Sequence, residues 1–207
     1  LGRTDEFHLI PLAAVLPVLL ATLAATERSA AWRAALGVAL ALIALHGLDR
    51  QAGQLLHPPR QVALRLPAAD GVRDAPADAA ALEALHRYVR AREPAGSPLW
   101  VANPRHDLVR VGDTLLYVLL DARNPTRYDT MQPGVITTLS VQREVVRELQ
   151  RTPPRIVVRW LNPTADRREP NGAGRSSGVH LLDRYLAKAY RPAARFGDYQ
   201  VLARRAS

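Results

Sequence analysis

The chain has 207 residues, with 28 Lys and Arg against 19 Asp and Glu, a net charge of +9 and no cysteine. The missing thiol excludes a disulfide scaffold, thiolate metal sites and cysteine catalysis. A pI near 10.9 invites a nucleic-acid reading, but such a patch is a run of basic residues interleaved with aromatics, and the chain has none.

The charge is unevenly placed. Residues 1–60 carry Arg3, Arg28, Arg33, Arg50 and Arg60 against Asp5, Glu6, Glu27 and Asp49, a net of +1, which leaves +8 of the +9 on residues 61–207. Lys188 is the single lysine, and the arginines of the larger part alternate with acids, as in Arg143-Glu144 and Arg147-Glu148. Interspersed signs are the pattern of a solvated surface, so the expectation is no nucleic-acid partner.

The first quarter is apolar. Residues 9–26 read LIPLAAVLPVLLATLAAT without a charge, and residues 34–48 read AALGVALALIALHGL. Two transmembrane helices, about 9–26 and 30–48, are expected as a hairpin over residues 1–49, with the turn ERSAAWR from Glu27 to Arg33. Pro11 and Pro17 are tolerated in such helices when neighbours satisfy the freed carbonyls. The Arg pair in the turn makes it the cytoplasmic side under the positive-inside rule. Both flanks then lie outside, which predicts a multi-pass inner-membrane protein with an extracytoplasmic C-terminal domain. Leu1 in place of Met reads as the cut edge of a longer polytopic chain.

Residues 50–60 form a Pro-ended linker, and residues 61–207 read as a small α/β domain. VALRL (62–66) is a predicted strand. Apolar positions 79, 82, 85 and 89 predict an amphipathic helix between Asp74 and Glu93. Leu99–Ala102 is a short strand, and Asp113 an N-cap for TLLYVLLDAR. An extended stretch to Thr138 precedes a helix capped by Ser140. RIVVRWL (155–161), between two Pro-containing boundaries, is the clearest strand. After a polar loop at 162–178 come a helix at 179–190 and a closing hairpin, ARF and YQVLAR around Gly197-Asp198. Strands alternating with helices predict a Rossmann-like α/β layer that ends in a β-hairpin.

No phosphate loop, dinucleotide fingerprint or zinc-protease motif is present, and the six histidines show no ligand spacing. Three constellations stand out. Arg3, Asp5 and His8 at the mouth of the first helix fit a lipid-phosphate site or an interfacial charge cluster. Arg123, Arg127 and Tyr128 on a Pro-stiffened loop fit an acceptor site or a salt-bridged connector. Glu169, Asn171 and Arg175 lie in a Gly-rich loop that fits an ordering lid or a disordered segment.

Taken in order, RTDEFHLIPLAA, VGDTLLYVLLDARNPTRYD, TLSVQREVVRELQ, RIVVRW, EPNGAGRSSGVHLLDRYL and YRPAARFGDYQVLARR resemble the C-terminal end of bacterial polytopic glycosyltransferases of the C-type superfamily. Relatives of protein O-mannosyltransferase and aminoarabinose transferase belong there. The resemblance implies sugar transfer from a polyprenyl-phosphate donor to an extracytoplasmic acceptor. Its acidic base would lie in a first external loop outside this chain, so no catalytic residue is assigned. No cofactor is expected in this part, with a divalent metal possible in the full-length protein. The implied partners are membrane lipid, the polyprenyl-phosphate sugar and the rest of the polytopic chain. The alternative is a non-enzymatic membrane-anchored binding module.

Overall fold

The computed structural model describes residues 6–26, 29–56, 58–110, 112–129, 135–161 and 175–206, and the chain divides into two compact units, Leu1–Arg60 and Gln61–Ser207. The first unit holds α1 (Glu6–Thr26) and α2 (Ala30–Leu56), which pack against each other. Ser29 stands just ahead of α2, and its hydroxyl accepts the Trp32 amide at 3.4 Å.

The expectation of two transmembrane helices is corrected here: among the described residues, no helix is long and apolar enough to cross a membrane. In α2 the apolar stretch is bounded by charge, with Arg33 near its start and Asp49 and Arg50 before its end. Leu19, Leu23, Leu42 and Leu45 are nevertheless exposed.

The second unit is mixed α/β, but its sheet departs from the Rossmann-like expectation. Its order is β3-β4-β6-β5, built from β3 (Leu99–Ala102), β4 (Ile156–Trp160), β5 (Tyr190–Phe196) and β6 (Tyr199–Arg204). Among these strands β3 and β4 are the parallel pair, Leu99 opposite Ile156, while β4–β6 and β6–β5 are antiparallel. A small hairpin, β1 (Val62–Ala63) with β2 (Arg73–Asp74), precedes α3 (Pro76–Arg90). The expected strand 62–66 is cut short where Leu64 leaves the ladder and donates to the Val72 carbonyl at 2.9 Å.

Period-two alternation places apolar side chains on both faces of the sheet. Leu99, Val101, Ile156, Val158 and Val201 pack on one side with Leu82, Leu85 and Val89 of α3 and with Leu116 of α4 (Leu115–Leu119). Trp100, Val157 and Leu202 pack on the other with Val145 and Leu149 of α5 (Leu139–Arg151) and with Leu182 and Leu186 of α6 (Leu181–Ala189). The result is a three-layer unit. At the edge, β5 leaves the Arg191 and Pro192 side chains exposed and carries a bulge between Pro192 and Ala194, features that discourage edge-to-edge pairing.

Two helix starts shift from the expected caps. α5 begins one residue before Ser140, with Thr138 at the N-cap position, and α4 begins after Thr114 rather than at Asp113. Tyr190, expected to end a helix, opens β5. The hairpin turn is as expected at Gly197-Asp198; Gly197 sits at φ 54°, where a Cβ would also lie 3.0 Å from that of Ala81 on α3.

Asp113 still bonds the first turn of α4 through its carboxyl, and it also accepts the Tyr199 hydroxyl at 3.0 Å. Burial raises its carboxyl above 3.8, only partly offset by Tyr199 and the amides of Leu115 and Leu116. A raised carboxyl pKa means the folded state holds the proton more tightly than the unfolded one. Ionisation therefore costs stability as pH climbs past the unfolded value, and the cost persists at neutral pH. Asp113→Asn, which keeps an acceptor for Tyr199, should raise the melting temperature relative to wild type at about pH 7 and not at about pH 3. Equal differences at the two pH values would contradict this.

Candidate functional site

Parallel strands leave their carboxyl ends and following loops free to build a site. After Ala102 the chain turns through Asn103, Pro104, Arg105, His106 and Asp107, and this loop meets the start of α6. The meeting is fastened by Gln142 of α5, which is fully buried. Its Nε2 donates to the carbonyls of His106 and Val179, each at 3.0 Å, and its Oε1 accepts the Leu182 amide at 3.0 Å. One side chain thus closes three backbone groups from two segments.

Asp107 has no exposed side-chain surface. Arg105 grips it with a fork, Nε to Oδ1 at 2.9 Å and Nη2 to Oδ2 at 2.6 Å, and the Ser176 hydroxyl donates to Oδ2. The Ser177 amide donates to its main-chain carbonyl at 2.8 Å. Burial alone would raise this carboxyl; the bonds from Arg105 and Ser176 and the positive charge of Arg105 outweigh it and hold the pKa at about 2.

Asp183, on the first turn of α6, accepts the His106 amide at 3.2 Å and lies 2.7 Å from His106 Nδ1. A carboxylate can only accept, so Nδ1 carries the proton. Burial pushes the Asp183 carboxyl up, and the hydrogen bond and charge of His106 bring it below its usual value. The His106 ring stacks on Trp100 at 5.4 Å between centroids and 21° between planes, and its Nε2 is buried with no partner among the described residues. His180, 42% exposed, places Nδ1 3.8 Å from Asp107 Oδ1 and 3.9 Å from Asp183 Oδ2.

Asp107, His180 and Asp183 therefore form a group that could hold a metal ion, their ligand atoms lying within 4.8 Å of one another. An ion bound at about 2.0–2.2 Å in a tetrahedral shell sets its ligands roughly 3.4 Å apart. The imidazole nitrogen, at 3.8 and 3.9 Å from the two carboxylates, stands about half an ångström outside that spacing. The surroundings also carry positive charge: Arg110 feels both Arg105 and Asp107, and Arg159 at the end of β4 feels Asp183. Burial lowers the pKa of both guanidinium groups.

The residues expected from sequence fall elsewhere or partly here. Arg3, Asp5, Glu169 and Asn171 lie outside the described residues, as does the side chain of His8. Arg175 is exposed, directly before Ser176, so the end of the Gly-rich loop does reach Asp107. Arg127 and Tyr128 are tied to α5 instead: Arg127 Nη2 bonds the Tyr128 hydroxyl at 2.8 Å and Glu144 at 2.7 Å, and that hydroxyl donates to Glu144 at 2.7 Å. Tyr128 and Arg127 together hold the Glu144 carboxyl below its usual value. Arg123 pairs through its backbone with Ser97 and Leu99.

The linear spacing of His106, Asp107, His180 and Asp183 resembles no ligand motif. The available signal was positional: a His-Asp pair just after a strand, and a His and an Asp three apart at a helix start.

No protein-family model matches the chain, and neither the curated proteins nor the solved structures contain a match.

Proposed function

We propose that residues 61–207 act as a cation-assisted binding module for a sugar-phosphate ligand, within a glycosyltransferase that draws on a polyprenyl-phosphate donor. The observation that carries the cation part is the convergence of Asp107, His180 and Asp183 at the carboxyl edge of β3 and β4. A divalent ion there would neutralise phosphate oxygens, with Arg105, Arg110 and Arg159 adding positive field. The glycosyl-transfer part comes from the sequence resemblance.

Holding fits these groups better than moving protons. Both oxygens of Asp107 are engaged, and His106 is sealed against Trp100 with no exposed surface. That favours a binding role for this unit, with transfer chemistry supplied by other parts of the protein, or the second reading of a binding module that transfers nothing.

Thermal unfolding in EDTA, then with Mn²⁺ or Zn²⁺, tests the site. At a hundredfold excess over Kd, binding adds about 2.7 kcal/mol, and His180→Ala should abolish the shift while leaving stability in EDTA nearly unchanged. Farnesyl phosphate serves as a soluble donor probe, and its binding should require the ion. No ion-dependent shift in wild type rejects the cation site. An ion shift without farnesyl phosphate binding rejects the donor reading and keeps the stand-alone module.

A further inference from the structure

At the end of β4 opposite Asp107 lies a second cleft of about 510 Å³, between the end of α3, the start of β4 and the end of β6. Four arginines, Arg92, Arg155, Arg204 and Arg205, line it with Glu93. The size falls within the range of small-ligand pockets. Four guanidinium groups against one carboxylate leave it strongly positive.

Two of these arginines are already held in place. The Arg92 guanidinium lies 3.6 Å from the centre of the Tyr88 ring and donates from Nη1 to the Tyr88 carbonyl at 3.1 Å. Arg205 donates from Nε to the Tyr190 carbonyl at 3.2 Å. A guanidinium has five N–H donors, so each keeps donors for a ligand. Their prior ordering also removes part of the side-chain entropy that binding would otherwise cost. The backbone beneath the other two is joined, the Arg204 amide bonding the Arg155 carbonyl at 2.9 Å. Glu93, buried at the cleft, sits 3.8 Å from Arg155 Nη1 and draws that exposed side chain toward it.

We propose that this cleft binds a phosphate-bearing polyanion of about the size of a diphosphate, through bidentate contacts from Arg92, Arg155 and Arg205. Arginine forks match phosphate oxygens in pairs, which a diphosphate satisfies at more than one point. The source is either a free diphosphate compound or an anionic lipid headgroup. The site is independent of the cation group and needs no metal.

Isothermal titration of the chain with inorganic pyrophosphate, in EDTA at low ionic strength, tests it. Binding is expected, weakening as salt rises. Arg155→Gln with Arg205→Gln should reduce affinity at least about tenfold, as expected for two lost charge-assisted contacts, while Arg143→Gln, a charge removed from α5 outside the cleft, leaves it unaltered. Should the double variant not fold, Arg155→Gln alone is the test, because that side chain is 78% exposed. Vesicles of phosphatidylglycerol separate the sources: co-sedimentation that the same variant loses assigns a lipid headgroup, and pyrophosphate binding without co-sedimentation assigns a free diphosphate. No heat with wild type, or an equal loss in Arg143→Gln, overturns the proposal.

Discussion

Gln142→Leu should destabilise the C-terminal unit by about 3 kcal/mol, from three buried backbone groups left without partners at about 1 kcal/mol or more each. Leucine has a similar reach and keeps the packing, so the loss reports the hydrogen bonds. The groups affected are the His106 and Val179 carbonyls and the Leu182 amide. Gln142→Glu makes the bonding explicit: it keeps an acceptor for Leu182 and loses both donors, placing a carboxylate against two carbonyls. It should therefore be at least as damaging. Urea unfolding followed by circular dichroism gives both values, and a loss below about 1 kcal/mol for the leucine variant would show that water replaces the side chain. Because Gln142 fastens the loop before Asp107 to the start of α6, hydrogen exchange at Leu182 should accelerate in the same variant.

The second large effect is at Asp107. Asp107→Ala removes the acceptor of the Arg105 fork, the Ser176 hydroxyl bond and one member of the cation group in a single step. Breaking a fully buried pair costs about 3–5 kcal/mol. Arg105 is 52% exposed and can return to water, so about 2 kcal/mol is the expected loss. Asp107→Asn retains one acceptor but turns an NH₂ toward a guanidinium or a hydroxyl, and it should fall between wild type and alanine. Both variants should also lose the response to Mn²⁺ or Zn²⁺. His180→Ala is the contrast, losing the ion response with little change in stability, since its ring makes no contact shorter than 3.8 Å to either carboxylate. If Asp107→Ala unfolds as wild type does in denaturant, the Arg105 fork contributes nothing to the fold.

Some of this architecture could be read along the chain. Apolar spacing over residues 79–89 marked the buried stripe of α3, and RIVVRW between prolines marked β4, because local periodicity records which face meets a core. The Gly197-Asp198 turn was legible because a tight turn places its demand on two adjacent residues. Boundaries were less so: Tyr190 suits a helix end by pattern, yet its partner Arg204 draws it into the sheet. The apolar runs of residues 9–26 and 34–48 carried an expectation that the described helices do not meet, since a run of hydrophobic letters fixes neither the length nor the polarity of a whole helix.

The candidate site was legible only as two separate His and Asp pairs, for a different reason. Asp107 and Asp183 are 76 residues apart in number and come together because β3 lies parallel to β4 and Gln142 pins α6 to the loop that follows β3. The four arginines of the second cleft lie at or just beyond the ends of three elements and read, in sequence, as ordinary surface charge. The sequence by itself determined a cysteine-free, basic α/β chain with charge concentrated after residue 60. Only the tertiary structure decided where that charge has a partner, because burial and hydrogen bonding are properties of positions in space, and spacing along the chain does not encode them.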